Sequence, residues 1–275
     1  MRPRFRPYEL LILAYYAYVA LVAQVRLDAP VRWYPSGILL TALLILFALR
    51  RGESHLRDWM PLAYTFVAFR EMNFFTPAVR DYHLENAWIG WDRWLLNTGH
   101  LRPAIESLGP VIPSYLEICY SLVYAIALIS ALIVLLNHRR DHLNAFWFAY
   151  LAGTLASYAL FPYFPSDPPR AVFAGADLPT VFTIFRRFNL AILGRFGIHS
   201  SVFPSAHVSS CFACAWGLFL TVPERKRWGW IVAIYSFSVA VATIYGRYHF
   251  AVDAVAGFAM SFFAWSAARL LPRRV

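Results

Sequence analysis

Eight long apolar runs decide what this chain can become: roughly Tyr8–Val25, Ser36–Leu49, Trp59–Pro77, Pro113–Leu136, Asn144–Phe161, Ala206–Val222, Gly229–Tyr245 and Phe250–Leu271. About 20 apolar residues in helical form cross the hydrocarbon layer of a bilayer. Backbone polar groups have no water there, so only helices and closed barrels cross it. Runs of this length predict an all-α, polytopic transmembrane helix bundle of about eight spans (six to eight). The third run is the weakest, since Arg70 and Glu71 sit toward its far end, and it could instead lie in the interface. Only 15% of the 275 residues are charged, against about 25% in soluble domains, so much of the surface is expected to face lipid. The 10 Trp and 16 Tyr collect at run ends, where amphipathic rings anchor.

The basic residues test this count. With Arg2, Arg4 and Arg6 in the cytoplasm and eight alternating crossings, the turns holding Arg50, Arg51 and Arg57, Arg139 and Arg140, and Arg225, Lys226 and Arg227 all fall on the cytoplasmic side. Arg273 and Arg274 join them. Omitting the third span would put the first basic turn opposite the others. The first run lacks a small-residue cleavage site and reads as a retained helix rather than a signal peptide. The net charge of +10 is therefore assigned to topology and anionic headgroups, with no nucleic-acid partner expected. Cys211 and Cys214 form a C-x-x-C inside an apolar run, where packing of small residues accounts for them. The three cysteines make no disulfide framework, and no metal-ligand spacing is present.

Two longer segments fall on the extracytoplasmic side. Arg80–Pro110 mixes Trp88, Trp91 and Trp94 with acidic residues, as an interfacial helix does. Pro162–Pro204 is a Pro- and Gly-rich loop long enough to be functional. The chain divides into residues 1–112, N-terminal helices plus the interfacial segment, and residues 113–275, a C-terminal helix bundle.

Three polar clusters then reach one membrane face: Ser166-Asp167-Pro168-Pro169-Arg170, Phe203-Pro204-Ser205-Ala206-His207, and Tyr245-Gly246-Arg247-Tyr248-His249 with Asp253. Spaced i, i+4, His249 and Asp253 share a face if the segment is helical. A carboxylate on one imidazole nitrogen fixes the tautomer and frees the other to attack phosphorus. His207 could then protonate the leaving alkoxide. Arg170, Arg247 and Ser205 could neutralise phosphoryl oxygens, helped by the N-terminus of the helix that Ser205 opens. Each element alone also has a plain structural reading as an interfacial hydrogen-bonder or anchor. Ionisable groups at membrane depth are costly and usually functional, and the three clusters together favour a site.

Pro204-Ser205-Ala206-His207 and Arg247-Tyr248-His249-x3-Asp253 resemble the second and third signature motifs of the type 2 phosphatidic acid phosphatase (PAP2) superfamily. Asp253-Ala-Val-Ala-Gly257 resembles the run that follows. The similarity covers roughly Tyr150–Leu271. The string Pro165-x-x-Pro168-Pro169-Arg170 and the stretch Tyr115–Tyr124 resemble the branch containing inositol phosphorylceramide synthases. This resemblance implies a nucleophile at His249 oriented by Asp253, an acid at His207, and phosphate held by Ser205 and the arginines. The usual first motif, Lys-x6-Arg-Pro, is absent, and Arg170 is taken as its substitute. Thr243 stands where the third motif carries Arg, and Arg247, one helical turn further, is expected to project from nearly the same face.

The expected function is phosphoryl transfer on a lipid phosphate through a phosphohistidine, resolved by water (a phosphatase) or by an alcohol (a phosphotransferase). The expected partners are a phospholipid or polyprenyl phosphate and, for transfer, an acceptor such as inositol or ceramide. No cofactor or metal is required, and the oligomeric state is left open. The alternatives are a non-catalytic binder or transporter of anionic lipids and a vanadate-dependent haloperoxidase. The expected location is a bacterial inner (plasma) membrane, with both termini cytoplasmic and the site extracytoplasmic. Arg70 and Glu71 either line the site or neutralise one another, and His199 and Glu117 are candidates to support it.

Overall fold

The computed structural model describes residues 5–50, 55–77, 80–198 and 202–269, and among these every regular element is helical. Twelve α-helices follow in chain order: α1 Pro7–Arg26, α2 Tyr34–Leu49, α3 His55–Glu71, α4 His83–Arg93, α5 Leu101–Glu106, α6 Val111–Leu136, α7 Leu143–Leu160, α8 Pro169–Val172, α9 Ile184–Phe196, α10 Ala206–Thr221, α11 Arg227–Tyr245 and α12 Ala251–Arg269. Helices occupy all eight apolar runs. By length and composition four are able to cross a membrane: α1, α2 with the 3-10 turn before it, α6 and α11. Helices α10 and α12 are apolar but shorter. The third run forms α3, which stops at Glu71 and runs into a 3-10 turn over Met72–Phe75. Residues Pro162–Pro204, read as a loop, contain α8 and α9.

Helices α7 and α10 form the centre. Helix α7 packs on α10, α12, α1 and α3, and α10 packs on α11, α12 and α6. Their contacts are built on small residues, which let backbones approach. A Cβ added at Gly153 would lie 2.8 Å from the Ala213 Cβ, and one at Gly217 would lie 2.8 Å from the Phe146 ring. Cys211 and Cys214 are buried free thiols in this packing.

The basic turns meet at one end of the bundle. Arg6 and Arg140 each reach Asp58 at 2.7 Å, Arg57 reaches Glu9 at 2.7 Å, and Arg139 pairs with Glu224. The indole of Trp147 donates to the Asp58 carbonyl at 2.7 Å. These contacts tie together the starts of α1 and α3, the α6–α7 turn and the α10–α11 turn. Helices α4, α8 and α9 lie at the opposite end, around the turn that links α11 to α12.

Candidate active site

Backbone hydrogen bonds stitch the three polar clusters together. The Arg170 N–H donates to the Arg247 carbonyl at 3.2 Å, Val202 N–H to Ser166 at 3.2 Å, and Ser205 N–H to Asp253 at 2.9 Å. Each cluster is thereby held by another from a different part of the chain. Gly257 permits the last bond, since a Cβ there would lie 2.4 Å from the Ser205 carbonyl oxygen.

His249 lies in the turn between α11 and α12. Helix α11 ends at Tyr245, and Arg247 adopts φ 61°, which reverses the chain. The Thr243 carbonyl accepts from both Tyr248 N–H (2.9 Å) and His249 N–H (3.0 Å). Asp253, in the first turn of α12, accepts the Phe250 N–H on Oδ2 at 2.8 Å, and the same oxygen lies 3.4 Å from His249 Nδ1. That distance is long for a hydrogen bond. Among the described residues His249 Nδ1 and Asp253 Oδ1 make no shorter hydrogen bond.

The opposite nitrogen, His249 Nε2, lies 3.2 Å from His207 Nδ1. With the Asp253 carboxylate facing Nδ1–H, His249 Nε2 carries the lone pair and His207 Nδ1 donates to it. This tautomer follows from the partners. His207 sits in the first turn of α10, behind Ser205, whose hydroxyl caps the helix by accepting the Val208 N–H. Tyr120 stacks on both His207 (5.1 Å between ring centroids) and Tyr248 (3.9 Å), and Tyr124 meets His207 edge-on at 5.8 Å.

Arg170 approaches from α8. Its guanidinium donates to the Tyr248 carbonyl at 3.4 Å and lies 5.4 Å from the Tyr248 ring centroid. Burial, and then the Arg170 charge, push the His249 imidazole down to about 3, so the ring is neutral at neutral pH.

The structure thus brings together His249, His207, Asp253 and Arg170. Ser205 is placed at the cap of α10. Arg247 pairs through Nη1 with Asp92 of α4, whose other oxygen accepts the Ala251 N–H at 2.8 Å, and among the described residues its Nε and Nη2 are buried without a partner. The helical projection expected for Arg247 does not arise, because α11 ends two residues before it. Glu117 stands behind Tyr248. It accepts from the Tyr248 hydroxyl (2.6 Å), from Arg186 (3.0 Å) and from Asn189 (2.7 Å). Arg70 and Glu71 do not pair: Arg70 donates to the Phe196 carbonyl at 3.0 Å, and among the described residues both Glu71 carboxylate oxygens are buried without a hydrogen-bond partner. His199 lies outside the described residues.

Sequence reasoning missed Asp92, Arg186 and Asn189. The available signal was spacing. Glu85 and Asp92 fall i, i+7 on the side of α4 away from Trp91, and Arg186 and Asn189 fall i, i+3 on α9. Both pairs are buried. Among the described residues no group of three or more His, Cys, Asp or Glu side chains could hold a metal ion.

A membrane-type helical bundle with two histidines in contact, one backed by a carboxylate, defines the class. A family model of the PAP2 superfamily matches residues 87–267, two thirds of the chain, and the chain belongs to that superfamily. Members of this superfamily are generally phosphatases or phosphotransferases, and membership suggests such activity on phosphorylated lipids. Comparison with curated proteins and with solved structures gave no match.

Proposed function

We propose that this protein transfers the phosphoryl group of a membrane lipid phosphate through a covalent intermediate on His249. The observation that carries the reading is the contact of His249 Nε2 with His207 Nδ1 at 3.2 Å, with Asp253 behind one ring and Arg170 beside both. A phosphoryl group entering between the rings replaces their contact. Nε2 attacks phosphorus, the bond to the leaving oxygen breaks, and His207, protonated to the imidazolium beside the incoming phosphate anion, gives that oxygen a proton and is left neutral. Asp253 stabilises the positive charge that develops on the His249 ring, and Arg170 neutralises the equatorial oxygens. In the second half, His207 takes the proton of an incoming water or alcohol as its oxygen attacks phosphorus and the P–Nε2 bond breaks. Ser205 contributes through the N-terminus of α10, where first-turn N–H groups suit an anion. Arg247 holds the turn through Asp92.

Water as acceptor makes the enzyme a phosphatase, and a hydroxylated acceptor makes it a phosphotransferase, as the likeness to the inositol phosphorylceramide synthase branch suggests. Exclusion of water decides between them. The tyrosine wall of Tyr120, Tyr124 and Tyr248 favours exclusion and hence transfer.

Eight crossings, with the site on the extracytoplasmic face, are part of this reading. If only the four long apolar helices crossed, Arg6 and Arg140 would lie on opposite faces, about 30 Å apart. Their shared contact with Asp58 at 2.7 Å does not fit that arrangement and supports crossings by α3 as well.

The test uses purified wild-type, His249→Ala and His249→Gln protein with a labelled phospholipid and a polyprenyl phosphate, with and without inositol or ceramide. Wild type should release phosphate or form a new labelled lipid, and both variants should be inactive while unfolding thermally near the wild-type temperature. Turnover retained by a folded variant would sink the mechanism.

A further inference from the structure

Helix α9 is built inside out. Its inward stripe is polar: Arg186 and Asn189 are each 2% exposed and bind Glu117. Its outward face is apolar: Ile184 is 68% and Phe188 55% exposed, with Phe185 and Phe196 beside them. Arg187 and Arg195 are exposed on the same helix, and each guanidinium lies over a phenylalanine ring, Phe182 and Phe196 respectively, at 5.7 and 5.6 Å. A helix at a water-facing surface would carry these faces the other way round.

The depth of α9 identifies what covers that face. At 26 residues, α6 is about 39 Å long at 1.5 Å per residue, some 9 Å more than the hydrocarbon layer. Counting back about 20 residues from Leu136, beside the basic Arg139–Arg140 turn, the hydrocarbon boundary falls at Glu117. Asn189 bonds to Glu117, and Ser121 one turn deeper donates to Asn189 at 2.6 Å. Helix α9 therefore lies at the boundary itself, where phenylalanines meet hydrocarbon and arginines meet lipid phosphates.

We propose that α9 is a membrane-docking helix whose outward face sits in the bilayer boundary, with Arg187 and Arg195 on anionic headgroups, and that the bilayer thereby steadies the catalytic turn. The link to that turn is direct. Arg186 donates to the Gly246 carbonyl at 3.1 Å, and Glu117 accepts the Tyr248 hydroxyl, one residue before His249. Only this coupling rests on the phosphoryl-transfer reading; the docking stands apart from it.

The experiment places a bimane label at Phe188→Cys in full-length protein. The three native cysteines are buried and leave the new thiol to react. The labelled protein is reconstituted into phosphatidylcholine vesicles with and without phosphatidylglycerol. Shallow doxyl lipids should quench the label and aqueous iodide should not, and quenching should strengthen with phosphatidylglycerol and lose that dependence when Arg187→Gln and Arg195→Gln are combined. Quenching by iodide alone would overturn the proposal, and so would a label shielded from both, which reports a protein-covered face. In a second arm, Phe185→Ser with Phe188→Ser should lower kcat/KM on a long-chain lipid phosphate in vesicles by roughly tenfold or more, the scale of one lost Phe burial. Turnover of a short-chain soluble analogue in detergent should be unchanged. Equal loss on both substrates would overturn the coupling. If wild type turns over neither, the quenching arm still decides the docking.

Discussion

Arg170 and His249 are coupled by charge, and the coupling has a sign that can be tested. Burial and Arg170 hold the His249 ring near a pKa of about 3, from an ordinary value of 6.5. As pH falls from 6.5 toward 3 the unfolded chain takes up a proton at this residue and the folded chain does not, so folding stability drops, by up to about 1.4 kcal/mol per pH unit. Thermal unfolding in detergent should therefore weaken between pH 6.5 and 4 more steeply in wild type than in His249→Gln; equal slopes would count against the depressed value. Arg170→Gln removes one of the two causes, so the acid limb of the activity profile should move to higher pH. The same change should lower kcat/KM by roughly 100- to 1000-fold, the usual loss for one donor to a developing charge. His207, His249 and Asp253 were legible in the sequence because their spacing is set by two short local segments. The direction of Arg247 was not, since it depends on one left-handed residue after the end of α11.

At the scale of elements, the site depends on how closely α12 approaches the start of α10. The Ser205 N–H to Asp253 carbonyl bond at 2.9 Å exists only because position 257 carries no side chain. Gly257→Ala sets a Cβ against the Ser205 backbone oxygen, which cannot rotate away, and overpacking of this kind costs about 1–3 kcal/mol. We expect Gly257→Ala to lower both the unfolding temperature and kcat, because it separates Asp253 and His249 from His207. Gly37→Ala on α2, where nothing lies within 4 Å, should leave both unchanged. Apolar periodicity found all eight long helices. It missed α9 as an element, because a helix with arginine and asparagine inward and phenylalanine outward inverts the pattern that marks a surface helix. The interfacial pattern of α4 likewise does not single out Asp92, which is buried against Arg247.

At the scale of the whole molecule, the proposal of eight crossings rests on the placement of basic turns and on the ion pairs at one end of the bundle, which fit it. Helix length and composition leave a second arrangement to be tested, in which only four helices cross. Eight crossings put His55, before the bulk of α3, and Arg225, in the α10–α11 turn, on one face, with Ala174 after α8 on the other. Crossing only through α1, α2, α6 and α11 leaves His55 on its own face and puts Ala174 and Arg225 together on the opposite one. All three positions are exposed, and the native thiols are buried, so a cysteine introduced at each reports its own side. Impermeant maleimide added to intact cells should label Ala174→Cys and leave His55→Cys and Arg225→Cys untouched until the membrane is opened. Labelling of Arg225→Cys from outside would remove the eight-crossing reading. It would also put Arg139 and Glu224 on the face opposite Asp58, which the contacts of Arg6 and Arg140 with that one carboxylate do not allow, so a positive result there would require a different packing of α3 against α7.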